Sequence, residues 1–483
     1  MVVAWGRHRS GTLTTLEIIL IPLVAAAACA LPVVRFAGIL AVTSGILEAV
    51  LVVALAVARG TNGIPTERFP WAGPLTQYAF GADGFGLVLL VLTGVLFAVG
   101  AAASAGTPRP RTYYALWCLT QAAVTGVFLA QDLVLFFVFW EAMLIPIALL
   151  IWLWGGGDAR GAALRFLLAT MAGSALLLTG IVSVVVARGT SDLAALVLRP
   201  LPDADQTVLA LFFVAAFAVK LPLFPLHAWL PRAYVAAPTP VAAVLSGVVA
   251  KTAVYGLIHL CLPLFPTGMA RLAPILVALA AIGTLYGAFV ATRQRDTRRI
   301  IAFSSLSHLN LIGLGVFSAT AAATGGALVA SVSHGLVVCA LFLLAAFLAE
   351  RVGGWSLANI GGVAANAPVL SGFFALAIAT AIAVPGTSGF AGEFLILAAT
   401  YARFPGAAVV ATLVVVLSAV YGLGLLRRAF HGPPKGPARR DLGARERLLV
   451  APLLVLALLI GVAPRLISDR VPGASADRAE VTR

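Results

Sequence analysis

Long apolar runs alternate with short polar links along the whole chain, and we count about fourteen such runs. A run of about 20 apolar residues has the length that an α-helix needs to cross the hydrocarbon core of a bilayer. The links between the runs leave no room for a soluble domain. The pattern therefore predicts an all-α, polytopic membrane protein of about fourteen transmembrane helices.

Two of the predicted helices are interrupted. The seventh begins near residue 211 and contains Pro222 and Pro225, and the twelfth begins near residue 368 and contains Pro385 followed by glycines. Proline removes a backbone donor and clashes with the preceding turn, so both helices are predicted to break inside the membrane. Breaks at that depth are tolerated where they line a wet cavity enclosed by protein.

A short internal repeat accompanies these breaks. TAVYGL at residues 252–257 recurs as SAVYGL at residues 418–423, and a broken helix precedes each copy. Five predicted helices separate the copies, so the second copy is inverted, as in secondary transporters. We therefore predict two inverted five-helix repeats. The predicted parts are helices 1–3 in residues 1–110, the first repeat in 111–262, the second in 263–430, and a cytoplasmic loop, helix 14 and a tail in 431–483.

Composition and charge agree with a membrane protein. Charged residues make up 10% of the chain, against about 25% in a soluble protein. The net charge of +14 is concentrated in alternate links, above all residues 293–299 and 427–447, which fits the positive-inside rule and not a nucleic-acid surface. We assign these links to the cytoplasm and both termini to the outside. Arg7 and Arg9 oppose this, and we interpret the run after them as a retained first helix.

Two of the three lysines lie near the middle of predicted helices, Lys220 in the seventh and Lys251 in the eighth, and Lys435 lies in a polar loop. A lysine costs roughly 2.5–3.5 kcal/mol at the centre of an inserted helix. A side chain that snorkels to the interface is the alternative for Lys220, but its central depth favours a path for protons through the membrane.

The fifth predicted helix, residues 133–154, carries Glu141 shortly before Pro146. A carboxylate at that depth must be protonated or paired. Lys220 lies at a similar depth and is the expected partner. The two residues form either a static buried ion pair or a pair whose opening releases a lysine that can take up and release a proton.

Three further groups complete the predicted path. His308 in SSLSHLN and His334 in SVSHGL titrate near neutral pH, and the serines beside them favour a hydrated relay over a purely structural role. Glu393 follows the break in the twelfth helix and is the expected exit group. The alternative for Glu393 is a hinge that happens to carry a glutamate.

Other polar groups rank lower. Asp132, at the outer start of the fifth helix, and His227, in HAWLP, are second-rank candidates. Glu17 and Glu48 are expected to contact the interface or other subunits. The cysteines form no CxxC or Cys/His cluster, so we expect no metal, haem or iron–sulfur site.

Five long segments resemble one family. They are FFVFWEAMLIPIALLIWLWGG, KLPLFPLHAWLPRAY, RDTRRIIAFSSLSHLNLIGLG, SHGLVVCALFLLAAFLAERVGG and PGTSGFAGEFLIL, and they cover most of residues 110–430 in family order. The chain resembles the antiporter-like membrane subunits of bacterial proton-pumping NADH–quinone oxidoreductase, respiratory complex I, and among them the M subunit. Glu393 stands where several sister subunits carry lysine, which favours the M subunit.

The resemblance implies a half-channel at helices 5 and 7, a central axis through Lys251 and His308, and an exit at Glu393. It also implies neighbouring antiporter-like membrane subunits as partners, the bacterial inner membrane as the location, and energy from quinone reduction elsewhere in the complex. The complex as a whole would use FMN, iron–sulfur clusters and quinone, with no cofactor in this chain.

Three positions depart from the family pattern. Arg232 stands where an acidic residue is common, Tyr234 where histidine is frequent, and His259 where arginine is common. These departures affect the expected contacts at the cytoplasmic side and leave the central series of ionisable residues intact.

Three other functions remain compatible with the residues. They are a subunit of a multisubunit sodium/proton antiporter, a subunit of a membrane-bound hydrogenase, and a structural scaffold within such an assembly.

Overall fold

The computed structural model describes residues 15–59, 63–71, 73–435 and 440–470, so Arg7, Arg9 and both chain ends lie outside the description. The first helices are α1 Thr15–Ala30, α2 Ala37–Arg59, α3 Gly84–Ala103, α4 Pro110–Leu129, α5 Leu133–Ala142, α6 Leu144–Trp154, α7 Ala159–Arg188, α8 Leu193–Leu198, α9 Asp203–Lys220 and α10 Trp229–Ala236. The later helices are α11 Thr239–Val244, α12 Lys251–Gly256, α13 Leu262–Leu264, α14 Pro266–Arg293, α15 Thr297–Phe317, α16 Ala321–Val352, α17 Pro368–Ala381, α18 Ser388–Arg403, α19 Pro405–Phe430, α20 Ala444–Val462 and α21 Arg465–Ser468.

Several helices are joined end to end into single passages. α5 and α6 form one passage, as do α9 with α10, α11 to α13, and α17 with α18, whereas α8 and α21 are too short to cross. The described chain then has the fourteen passages that were predicted. Nine helices of the described part are long and apolar enough to cross a membrane by length and composition. The predicted helical membrane fold with broken helices 7 and 12 is confirmed.

The link between α2 and α3 contains a β-hairpin that the apolar pattern did not predict. Its strands are β1 Ile64–Trp71 and β2 Gly73–Ala82, which pair antiparallel with Phe69 opposite Tyr78. The rings of Trp71 and Tyr78 stack with centroids 4.7 Å apart. Aromatic cross-strand contacts of this kind stabilise a hairpin, and the search for long apolar runs does not detect them.

Links that follow even-numbered passages meet at one end of the bundle, which we call the even face. Ser191, after the sixth passage, donates its backbone N–H to Leu75 O in the hairpin at 3.1 Å. Thr15, at the start of α1, donates its hydroxyl to Glu67 of the hairpin at 2.5 Å. The C-terminal α21 packs against the start of α16. The start of the first described helix and the whole of the last one therefore lie at the even face.

Links that follow odd-numbered passages meet at the opposite end, which we call the odd face. Gly156, after the fifth passage, donates its N–H to Ala236 O at the end of the seventh, at 2.9 Å. Arg445, at the start of the last passage, donates to Ala102 O at the end of the third, at 2.6 Å. The alternating basic links 293–299 and 427–447 belong to this face, although residues 436–439 of the second link are not described.

The two broken passages run in opposite directions. α9 leads inward from the even face and α10 continues to the odd face, whereas α17 leads inward from the odd face and α18 continues to the even face. Opposite directions are what inverted repeats require. The repeat boundaries, residues 111–262 and 263–430, stay a prediction.

Candidate functional site

Lys220 is the last residue of α9, and its side chain is enclosed in the bundle with 2% exposure. Its Nζ lies 2.9 Å from Met143 Sδ and 3.8 Å from the centroid of the Trp140 ring. The indole N–H of Trp140 donates to Ser174 Oγ at 3.1 Å, which fixes the ring beneath the lysine. The lysine ammonium group therefore contacts two polarisable groups, a thioether and an indole ring.

Glu141 does not form the predicted ion pair with Lys220. The described residues contain no contact of 4.0 Å or less between these two side chains, and Glu141 Oε1 is buried with no hydrogen-bond partner. The fifth passage changes helix at Met143, three residues before Pro146 in the sequence, and Met143 takes the position next to the lysine. Similar depth in the sequence therefore did not imply contact.

The backbone freed by the break after Lys220 is satisfied by two side chains. Trp229 Nε1 donates to Val219 O at 2.8 Å, and Asn310 Nδ2 donates to Pro222 O at 3.1 Å. Any side chain at Gly283 would collide with Asn310, so the glycine makes room for this contact. The sequence analysis missed Asn310, although a buried amide on an apolar helix requires a polar partner and was the available signal.

Lys251 lies at the start of α12, where the eighth passage is irregular. The preceding turn, Leu245–Val249, is π-helical, so Ala250 N donates to Leu245 O instead of Ser246 O. Ser246 O accepts from Lys251 Nζ at 2.7 Å. No irregularity was predicted in this helix, and the π turn supplies the acceptor that a regular helix would have used internally.

His334 is the second partner of Lys251. Lys251 Nζ lies 2.5 Å from His334 Nδ1, and His334 Nε2 lies 3.1 Å from Ser305 Oγ, which in turn lies 2.7 Å from Ser246 Oγ. Since the lysine donates to Nδ1, this arrangement assigns the ring proton to Nε2, where it points at Ser305. α15 and α16 thus bring a histidine and a serine to the lysine of the eighth passage.

His308 and Glu393 form a second pair. His308 Nε2 lies 3.3 Å from Glu393 Oε1 and 2.9 Å from Ala381 O, the last carbonyl of α17 before the break. Ser304 Oγ lies 2.9 Å from the Tyr421 hydroxyl and 3.4 Å from His308 Nδ1. The break in the twelfth passage therefore provides both the free carbonyl and the position of the glutamate.

A small cavity lies beside both histidines. The His308 and His334 rings are 5.8 Å apart between centroids, and a cavity of about 40 Å³ lies between α15, α16 and the twelfth passage. Its polar lining consists of Ser304, Ser305, His308, Ser333, His334, Thr380 and Glu393. A cavity of that size has room for about three or four water molecules, because each needs roughly 10–15 Å³.

The structure thus brings four of the predicted site residues into one network and leaves two outside it. Lys251 and His334 are in contact, and His308 and Glu393 share a cavity with His334. Lys220 lies elsewhere, with Glu141 on the neighbouring passage, and no hydrogen-bonded chain of described side chains links Lys220 to Lys251.

The second-rank candidates have different surroundings. Asp132 caps α5 by accepting from Val134 N at 2.9 Å and Leu135 N at 3.0 Å, and it also accepts from the Ser191 hydroxyl. These contacts hold links of the even face together. His227 lies against the Tyr286 ring, with centroids 4.7 Å apart, and lines a cleft at the odd face.

Two of the three departures from the family pattern lie apart from the network, whereas the Tyr234 hydroxyl lies beside Ser246 and Ser305 of the network. Tyr234 is fully buried and packs edge-on against Phe342. His259 Nδ1 lies 3.4 Å from Asp83 Oδ2 near the even face. Arg232 lines the same cleft as His227.

Glu48 is an internal residue, which corrects its interpretation as an interface or subunit contact. Its carboxylate is 0% exposed, and it accepts from Gln121 Nε2 at 2.5 Å and Thr125 Oγ1 at 2.6 Å, both on α4. Glu17 lies in the shallow groove between α1 and α2. The Glu48 carboxylate ties α2 to α4 and is not available to a partner chain.

Replacing Glu48 with alanine is expected to destabilise the chain by about 1 kcal/mol, because it leaves the donors of Gln121 and Thr125 without an acceptor. Glu48→Gln retains one acceptor and should lose less. The readout is the midpoint of heat unfolding of the assembled complex in detergent, with Glu17→Ala as the matched control. Equal midpoints for Glu48→Ala and the unchanged protein contradict the assignment.

The described residues contain no group of three or more His, Cys, Asp or Glu side chains that could hold a metal ion. The four cysteines are all buried, and none of them forms a disulfide. The site residues themselves carry lysine, histidine, carboxylate and hydroxyl groups, which can hold and pass protons.

Comparison with known proteins places this site in a family. The transmembrane family described as NADH:quinone oxidoreductase/Mrp antiporter matches residues 130–419, which include every predicted site residue from Asp132 to Glu393. The match covers more than half of the chain, and the chain belongs to this family of antiporter-like membrane proteins.

Curated relatives narrow the assignment. NADH-quinone oxidoreductase subunit M of Rhodobacter capsulatus is 36% identical over 82% of this chain and 80% of the relative, and that of Mycobacterium tuberculosis is 35% identical over 89% and 87%. Within the family, the chain therefore groups with the subunit M proteins, and the resemblance read from its motifs is confirmed.

Solved structures agree with the fold. A chain of respiratory complex I from Thermus thermophilus with bound NADH has a TM-score of 0.90 and 31% identity, covering 97% of this chain and 100% of that chain. A chain of the Mrp complex from Dietzia has a TM-score of 0.87 at 22% identity, covering 97% of each. The second comparison shows a shared fold.

Proposed function

We propose that this chain is the proton-translocating M subunit of a bacterial NADH–quinone oxidoreductase, assembled with other antiporter-like membrane subunits in the inner membrane. The observation that carries the proposal is the contact series from Lys251 through His334 to the cavity that holds His308 and Glu393. Buried ionisable groups are costly inside a membrane, and a connected series of them marks an ion or proton path.

The proton moves along this series in short steps. The Lys251 ammonium passes a proton to His334 Nδ1, and His334 releases the proton on Nε2 toward Ser305 and the cavity. Water in the cavity carries it to His308, which lies within reach of the Glu393 carboxylate. α18 follows the break, carries Glu393 and leads to the even face, so Glu393 is the exit group of the path.

Lys220 and Glu141 form the inlet in this proposal. The Lys220 head group rests on Met143 and Trp140, which do not neutralise a charge as a carboxylate does. An ammonium at Lys220 is attracted to the unpaired carboxylate of Glu141, and loss of the proton removes that attraction. In the structure the two side chains are apart, which is then one of two states. Exchange between the two states moves a proton from the inlet into the helix bundle.

In this proposal the odd face is cytoplasmic and both termini are outside, because the basic links 293–299 and 427–447 belong to the odd face and the positive-inside rule assigns such links to the cytoplasm. Quinone reduction in other subunits drives the cycle, and this chain holds no cofactor of its own. Its part in the translocase is proton movement, while the redox chemistry takes place in neighbouring subunits.

Replacing Lys220 with alanine tests the proposal. We expect NADH-driven proton uptake into vesicles that contain the assembled complex to fall at least about tenfold, because an alanine cannot hold a proton at the inlet. Assembly, followed by native gel electrophoresis, should not change.

The matched control is Lys435→Ala, in the loop of the odd face, which should pump at the normal rate. If Lys220→Ala pumps as well as Lys435→Ala, the chain acts as a structural scaffold and the proposal is wrong.

A further inference from the structure

The buried face of α18 carries polar and apolar residues between the break of the twelfth passage and the even face. Its buried residues are Ser388, Gly392, Glu393, Ile396 and Thr400. Glu393 and Thr400 are seven residues apart in the sequence, which corresponds to about 10 Å along a helix axis. Ile396 lies between them on the same face, because residues three and four apart on a helix are neighbours. A proton that leaves Glu393 along this face must therefore pass Ile396.

On the inner side of Ile396, the Glu393 carboxylate uses only one of its two oxygens. Oε1 lies 3.3 Å from His308 Nε2, whereas Oε2 is buried and has no hydrogen-bond partner among the described residues. A buried carboxylate oxygen normally accepts a hydrogen bond, and water is the smallest donor that can reach such a position. Oε2 is therefore available to accept from a water molecule when the exit is hydrated.

On the outer side of Ile396, the exit is lined by hydroxyl groups. Ser318, directly after α15, and Thr400 of α18 have their hydroxyl oxygens 2.8 Å apart. Arg403, which is exposed at the end of α18, donates to Ser318 O at 2.9 Å. A hydroxyl both donates and accepts, so a hydrogen-bonded pair of hydroxyls can take part in a chain that carries protons. The outer end of the exit is therefore polar and meets an exposed residue.

Ile396 itself is fully buried and lies where α15 and α16 carry glycines. A Cβ atom on Gly315 of α15 would lie 2.9 Å from Ile396 Cγ1, and a Cβ atom on Gly326 of α16 would lie 2.9 Å from Ile396 N. The two glycines have no side chain, so the isoleucine side chain fills the space between the three helices. It offers water no hydrogen bond, and an apolar constriction of this kind stays dry.

We propose that Ile396 is a hydrophobic gate that separates Glu393 from the hydroxyl pair of Ser318 and Thr400 and controls the release of protons to the even face. This inference rests on the proposed function, because it takes Glu393 as the exit group. While the gate is closed, protons from the even face do not return to Glu393. The break before α18 allows this helix to shift without α17. A shift away from the glycines admits a file of about three water molecules, because neighbours in such a file are about 2.8 Å apart.

The test compares Ile396→Ser with Ile181→Ser in the assembled complex in proteoliposomes. Serine leaves a space that the glycines do not fill and adds a hydroxyl, so the exit stays hydrated and protons return through Glu393. The number of protons translocated per NADH oxidised should fall at least about twofold, while NADH oxidation keeps its rate. A protonophore should then accelerate NADH oxidation less than in the unchanged protein. Ile181 of α7 is equally buried but lies outside the path, so Ile181→Ser should remain coupled.

Two further variants at the same position separate a gate from a residue that only stabilises the fold. Ile396→Thr keeps the β-branched shape and introduces a hydroxyl, so it makes the same test if Ile396→Ser does not assemble. Ile396→Leu keeps the side chain apolar and similar in volume, and it should translocate protons at the normal ratio to NADH.

Three results would overturn the gate, and they differ in what they mean for the proposed function. Normal coupling in Ile396→Ser and Ile396→Thr, while Glu393→Gln blocks pumping, would reject the gate and leave the exit at Glu393. Equal losses of pumping and of NADH oxidation in Ile396→Ser would show a block and not a leak. Normal pumping by Glu393→Gln would remove Glu393 from the path, and the gate with it.

Discussion

Replacing Lys251 with methionine is expected to abolish proton translocation by the assembled complex, with a loss of about 100-fold or more. Lys251 lies at the head of the contact series, bonded to Ser246 O at 2.7 Å and to His334 Nδ1 at 2.5 Å. Methionine fills a similar volume without a proton to give. The measurement is the initial rate of NADH-driven acidification in proteoliposomes, divided by the rate of NADH oxidation.

Lys251→Arg separates proton transfer from charge. Arginine keeps a positive charge in the membrane but does not release its proton under these conditions. If Lys251 passes a proton to His334, the arginine variant fails to pump although it assembles. Normal pumping by Lys251→Arg would show that the position needs a fixed charge, and the relay from Lys251 to His334 would then be rejected.

His334→Gln tests the same step at the residue that accepts the proton. Glutamine can accept a hydrogen bond from Lys251 and donate one to Ser305, so it preserves the local contacts. It cannot exchange protons as an imidazole does. Pumping is therefore expected to fall while the heat stability of the complex changes little.

The sequence predicted the features of this site that depend on the cost of burial. Lys220 and Lys251 stand out because charge is expensive in hydrocarbon, and Pro222 and Pro385 mark breaks because proline cannot donate a backbone hydrogen bond. These properties belong to single residues at a known depth. They need no knowledge of which helix packs against which, so the breaks and the buried lysines were found correctly.

The features that were missed depend on packing between helices. The contact of Lys251 with His334 needs the eighth passage and α16 side by side, and the free Ser246 carbonyl needs a π turn that has no sequence signal comparable to proline. The prediction of an ion pair between Glu141 and Lys220 was wrong for the same reason. The change of helix at Met143 places the Met143 thioether, and not the Glu141 carboxylate, against the lysine. Depth along a helix was predictable, whereas the direction of a side chain was not.

The proposed exit of the proton path consists of Glu393 and His308, whose side chains lie 3.3 Å apart. Glu393→Gln keeps the size and the hydrogen-bonding capacity of the side chain but removes its ability to take up a proton, and we expect it to lower pumping at least about tenfold. If Glu393 is a hinge residue that happens to be acidic, glutamine should serve equally well. The rate of acidification per NADH oxidised distinguishes the two roles.

A double-mutant cycle tests whether the pair acts as one unit. When two groups pass the same proton in sequence, removing either one blocks the step, and removing both adds little further loss. The variants Glu393→Gln, His308→Gln and their combination should therefore pump at similarly low rates. Losses that multiply in the combined variant would instead show two independent contributions. In that case the 3.3 Å contact between the imidazole and the carboxylate would be a structural ion pair, and the exit would have to lie elsewhere along the cavity.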